Sequence, residues 1–128
     1  MNNPLVHISF GEYADKITIL RIKQQRIQDN NKIKNVKKEL DMLVDLDDHF
    51  IIGSEQYNKL YKVNSSLWDV EDNIRIHEKN GDFGHEFVQL AREVYRLNDD
   101  RARIKNKINL DYGSDLVEEK SYTEYTSS

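Results

Sequence analysis

The chain has no cysteine among its 128 residues, which excludes disulfides, Cys-ligated zinc, iron–sulfur clusters and thiol catalysis. No run approaches the roughly 18 consecutive apolar residues that a membrane span needs, and the first residues lack the basic-then-apolar order of an export signal. The chain therefore reads as cytoplasmic, without a membrane span. Gly81-Asp82-Phe83-Gly84 lacks the length and the lysine of a phosphate loop, so nucleotide hydrolysis is not indicated. His7, His49, His77 and His85 show neither an HExxH pair nor a Glu-x-x-His step. No metal and no other cofactor is expected.

What is present is charge. Charged residues make up 33% of the chain against 38% hydrophobic, and mean hydropathy is -0.81, so a large polar surface encloses a modest interior. The length suits a single domain over 1–128, either thin and elongated or completed by a second copy. The net charge of -4 conceals a segregation. Lys16, Arg21, Lys23, Arg26, Lys32, Lys34, Lys37 and Lys38 are opposed only by Asp29, whereas Glu39, Asp41, Asp45, Asp47, Asp48 and Glu55 follow without a positive residue. A solvated helix face with complementary neighbours and a phosphate-binding surface both fit that stretch. Nucleic acid is an unlikely partner, because its binders usually carry a basic balance over the whole domain.

Periodicity points to an all-α fold: an elongated helical bundle on a long antiparallel helix hairpin, with a short extended N-terminal lead-in and an irregular C-terminal tail. Helices are expected near 10–28, 30–47, 55–80 and 83–110, with the tail over 111–128. Ser9-Phe10-Gly11-Glu12 reads as a capping box opening the first helix, whose inward stripe is Tyr13, Ile17, Leu20 and Ile27. Asp29 either bends that helix or caps a second one. Gly53-Ser54 reads as a stop followed by an N-cap, and Leu60, Val63, Leu67, Val70 and Ile74 face inward on the third helix. Asn80-Gly81 ends it, Asp82 can cap the fourth, and so short a connection lays the two helices side by side.

On the fourth helix Phe87, Leu90, Val94, Leu97, Arg101, Ile104 and Ile108 step by three and four as a packing seam. One seam position is an arginine. A guanidinium there must be paired and hydrogen-bonded, since an unpaired buried ion costs several kcal/mol or more. Counting outward from the turn, Asn64 is expected to meet Arg101, with Glu71 nearer Val94. Arg101 either pairs with Asn64, Asn98 and an acidic residue to fix register, or converges with Arg75, Arg96 and Lys16 on an anionic small molecule. The candidate ligand-binding residues are therefore Arg101, Asn64, Asn98, Glu71, Arg75 and Lys16, and no catalytic residue is assigned. Asp69 and Asp72 share a helix face where paired carboxylates could do acid–base work, but such pairs usually only solvate a surface.

The chain also resembles a family of small uncharacterised proteins, a domain of unknown function found in aquatic bacteria and their phages. The resemblance rests on Ser9-Phe10-Gly11-Glu12 with Asp15-Lys16-Ile17-Thr18-Ile19-Leu20, on Leu67 to Asp72 with Ile74-Arg75, on Gly81 to Gly84, and on Gly113 to Tyr122. It implies no activity, but it suggests that the tail docks on the helical body. The functional expectation is a helical interaction or assembly module, homodimeric, with a protein partner possible. The alternative is a helical domain that binds or transforms an anionic metabolite or sugar phosphate through Arg101, Arg75 and Lys16.

Overall fold

The computed structural model describes residues 3–125, and four helices account for the fold: α1 (Phe10–Arg26), α2 (Asn30–Val44), α3 (Glu55–Asn80) and α4 (His85–Tyr112). Among the described residues there is no strand. The protein is all-α. The last three residues of the expected tail lie outside the described residues.

Capping residues set the helix limits. Ser9 Oγ accepts from the Glu12 backbone N–H at 3.1 Å, but the reciprocal half of the expected capping box is missing because the Glu12 carboxylate accepts from Lys105 instead. Ile27 takes an extended conformation, and Asp29 accepts from the N–H groups of Asn31 and Lys32. Asp29 thus separates two helices rather than bending one. The second helix stops short of the expected 47 because Asp47 is used by the loop after it, accepting from Ile51 and Ile52 N–H at 2.9 and 3.0 Å. That loop places Ile51 in the core and leaves Phe50 outside at φ 56.

Ser54 caps α3, and Gly81 ends it in the left-handed region at φ 67, where a side chain would be strained. The fourth helix begins at residue 85 with Gly84 as its N-cap and no side-chain capping bond. Asp82 does not serve as expected: its Oδ1 accepts from Gly84 N–H and its Oδ2 lies 3.2 Å from His77 Nδ1.

Helix α1 packs against each of the other three, α3 and α4 pack against each other, and α2 rests on α1 alone. The main core joins Tyr13, Ala14, Ile17 and Leu20 of α1 to Val36 and Leu40 of α2, Tyr57 and Leu60 of α3, Ile108 of α4 and Ile51 of the loop. All seven α4 seam residues are buried or half-buried, Arg101 among them. At 26 residues, α3 is about 39 Å long at 1.5 Å per residue, well beyond the 17-residue α1.

Candidate functional site

A helix with neighbours on opposite sides needs two inward stripes. The first on α1 is Tyr13, Ile17 and Leu20; the second is Gly11, Asp15, Thr18 and Ile22, on the other side of the same helix and equally buried. Gly11 is there because α4 comes too close for anything larger: a Cβ would lie 2.4 Å from the Lys105 carbonyl oxygen. Its N–H donates to Asn109 Oδ1 at 2.7 Å. One turn further on, Asp15 is 1% exposed.

The buried Asp15 carboxylate is held by a two-pronged guanidinium. Arg101 Nε donates to Oδ1 at 2.9 Å and Nη2 donates to Oδ2. Asn64 Nδ2 donates to the same Oδ1 at 2.8 Å and to Thr18 Oγ1 at 2.8 Å, and Thr18 Oγ1 donates to the Asp15 carbonyl. Charge-assisted, fork-shaped pairing is what a carboxylate in this position requires. Hydrogen bonding to Asp15 raises the Arg101 pKa above its already high value against the opposing effect of burial, so the guanidinium stays charged.

A second cation joins one turn along α4. Lys105 Nζ donates to Glu12 Oε2 at 2.8 Å and to Glu118 Oε2 at 2.9 Å, and lies 3.9 Å from Asp15 Oδ2. Burial alone would lower its pKa, but the bonds to Glu12 and Glu118 and the charge on Asp15 turn the shift upward. Glu118 belongs to the segment after α4, which runs back along that helix. Ser114 Oγ accepts from Phe10 N–H, Glu118 meets Lys105, and Tyr125 packs edge-on against Tyr95 with ring centroids 4.9 Å apart. The tail is a strap along α4.

Arg101 is a wall between two hollows. On the strap side a polar hollow of about 230 Å³ is lined by Glu12, Lys105, Glu118 and Lys120. On the other, a pocket of about 330 Å³ opens between α1, α3 and α4, with Ile19, Ile22, Leu67 and Trp68 as its apolar wall and Asn64, Asn98, Arg75, Glu71 and Asp72 as polar lining. The third guanidinium nitrogen, Nη1, meets Asn98 Oδ1 at 3.5 Å, the longest of the Arg101 contacts. Arg101 is therefore anchored by Asp15, and its remaining nitrogen is only weakly engaged, by Asn98.

Five of the six sequence candidates, Arg101, Asn64, Asn98, Glu71 and Arg75, line this pocket. Asn64 and Arg101 come together through their shared acceptor Asp15. Arg75 pairs with Glu71 at 3.0 Å. Lys16 stands apart, 3.6 Å from Glu39 of α2, and Arg96 is exposed on α4. Asp69 pairs with Arg26 whereas Asp72 lines the pocket, so these two carboxylates do not act on one point.

A family model, a family of unknown function (DUF6165), matches residues 5–128. The chain belongs to DUF6165. The match to DUF6165 takes in the residues of the four helices and of the strap through Glu118. No curated protein and no solved structure matches the chain. Among the described residues, no helix of this DUF6165 chain is long and apolar enough to cross a membrane.

Proposed function

We propose that the chain acts as a single helical binding domain whose pocket between α1, α3 and α4 takes a small organic anion. The observation that carries this reading is the Arg101 guanidinium: two nitrogens are committed to buried Asp15, while the third has one 3.5 Å contact, to Asn98, and Arg101 and Asn98 both line the 330 Å³ pocket. An anchored guanidinium is pre-organised, so less entropy is lost when it captures a carboxylate or phosphate. Trp68 and Leu67 offer a face for the body of the ligand. Two guanidiniums and two carboxylates share the lining, so the fitting ligand carries hydroxyl or amino groups for Glu71 and Asp72 beside its anionic group, as sugar phosphates and amino acids do. Lys16 is outside this proposal because it belongs to the α1–α2 surface.

Trp68 is the sole tryptophan of the chain, so its fluorescence reports the pocket directly. Titration with glucose 6-phosphate, citrate and inorganic phosphate is expected to give a saturable change with at least one, weakened by Arg75→Ala, an exposed substitution. A linear, unsaturable response to all three, identical in the variant, would contradict the reading.

A second reading, self-association as an assembly module, is favoured by apolar side chains left in solvent. Leu5, Val6, Met42, Leu46 and Phe50 are all more than half exposed, and with Pro4, Ile8 and Phe10 all but Phe50 line a cleft of about 820 Å³. Exposed apolar surface of this kind is characteristic of interaction sites. A cytoplasmic setting, in bacteria or their phages, goes with the same proposal.

A further inference from the structure

We infer that the outer face of α2 is the surface through which two copies of this chain pair, antiparallel and about a two-fold axis; this rests on the self-association reading above. Helix α2 touches α1 alone. It does so through Val36 and Leu40, with Ile33, Leu43 and Val44 half-buried beside them. On its opposite side Lys34, Lys38, Asp41 and Asp45 follow one another at steps of four, three and four, which at 100° per residue confines them to one narrow stripe. All four are exposed. Among the described residues none of them takes part in an ion pair.

This stripe works against the helix that carries it. Lys34 with Lys38, and Asp41 with Asp45, are like charges one turn apart, which destabilise an isolated helix. The polarity is wrong as well: α2 has no acidic residue in its first turn and no basic residue in its last, while Lys32 and Lys34 sit toward the positive end of the macrodipole and Asp41 and Asp45 toward the negative end. The stability of α2 alone would favour the reverse order. A second copy laid antiparallel across the stripe removes both conflicts. With the axis between residues 39 and 40, Lys34 falls opposite Asp45 of the second copy and Lys38 opposite Asp41, and symmetry repeats both pairs. A parallel arrangement would set like against like, and a nucleic acid would be repelled by half the stripe.

The contact is small. A helix of 15 residues spans about 22 Å, less than a standard interface needs, so the pairing is weak and salt-sensitive, with charge setting orientation. The test is sedimentation equilibrium on the full chain as wild type, as Lys34→Glu/Lys38→Glu, as Asp41→Lys/Asp45→Lys, and as an equimolar mixture of the two variants. Each variant makes the stripe one sign, which adds like-charge neighbours within α2, so circular dichroism is used to show that both variants keep the wild-type helix content and that loss of pairing is not loss of fold. The expected result is a concentration-dependent wild-type dimer whose Kd rises at least about tenfold from low to high salt, monomeric single variants, and a dimer again in the mixture. Variants that pair as well as wild type would overturn the placement on α2 while leaving self-association standing. Wild type and mixture that both stay monomeric at the highest soluble concentration would overturn the pairing and the self-association reading together.

Discussion

Asp15 of α1 and Arg101 of α4, 86 positions apart in the chain, form a two-pronged ion pair in which the carboxylate is almost wholly buried and the guanidinium is 29% exposed. Removing Arg101 leaves the buried carboxylate with Asn64 and, at 3.9 Å, Lys105 as its remaining partners. Arg101→Leu is expected to cost about 3–5 kcal/mol, whereas Asp15→Leu/Arg101→Leu, which removes both ions, costs less than the sum of the two single changes. Denaturant unfolding of the three variants measures this. Additive costs would mean that the two residues do not depend on each other.

How much of this was legible follows from which side of each helix is considered. The α4 seam with Arg101, the hairpin turn at Gly81 and the caps at Ser9, Asp29 and Ser54 are written in local spacing, and the helices begin or end within three residues of where spacing puts them. Asp15, Thr18 and Lys105 were hidden. A single apolar stripe on α1 satisfies a surface helix, and nothing local says that α1 is central and needs a second stripe made of Gly11, Asp15, Thr18 and Ile22. The spacing of those four was the available signal. Lys105 looks like an ordinary surface lysine until the strap brings Glu118 over it. Lys16 was misleading because charge alone does not say which side of α1 it occupies.

Gly11→Ala is expected to destabilise the protein by about 1–3 kcal/mol, as overpacking does. The added Cβ would strike the backbone of α4 at the Lys105 carbonyl, 2.4 Å away. Backbone cannot step aside as a side chain can. A thermal melt unchanged from wild type would show that α1 and α4 are less closely apposed at this point.

The strap has a definite acid response. The hydrogen bond from Lys105 holds the Glu118 carboxyl below its ordinary 4.5. A depressed folded pKa contributes stability that is present above the unfolded value and is lost as pH falls through the folded one. The contribution of Glu118 to docking is therefore complete above its ordinary pKa and is lost in stronger acid, and Glu118→Gln removes it at neutral pH. Amide exchange over residues 114–125 reads this, with equal protection in wild type and Glu118→Gln as the contrary result.

Alkali acts on the other groups. Burial, with the charges of Asp47 and Asp48, pushes the Tyr13 hydroxyl up from 10.0 to about 12, and it donates to the Leu43 carbonyl. The Lys105 pKa is likewise raised above 10.5. A raised folded pKa gives stability that is complete below the unfolded value and is lost as pH climbs through the folded one. Stability should fall as pH rises from about 10 towards 12. Tyr13→Phe removes the Tyr13 part of that slope, and an unchanged slope would place it elsewhere.

The most direct measurement is the arginine Nε–H signal in a nitrogen–proton correlation spectrum at neutral pH. Arg101 is expected to give one slowly exchanging, shifted signal that is absent in Asp15→Asn and present in Arg75→Ala. No protected Nε–H in the wild type, or one that survives Asp15→Asn unchanged, would contradict the anchoring of Arg101 on which the proposed pocket depends.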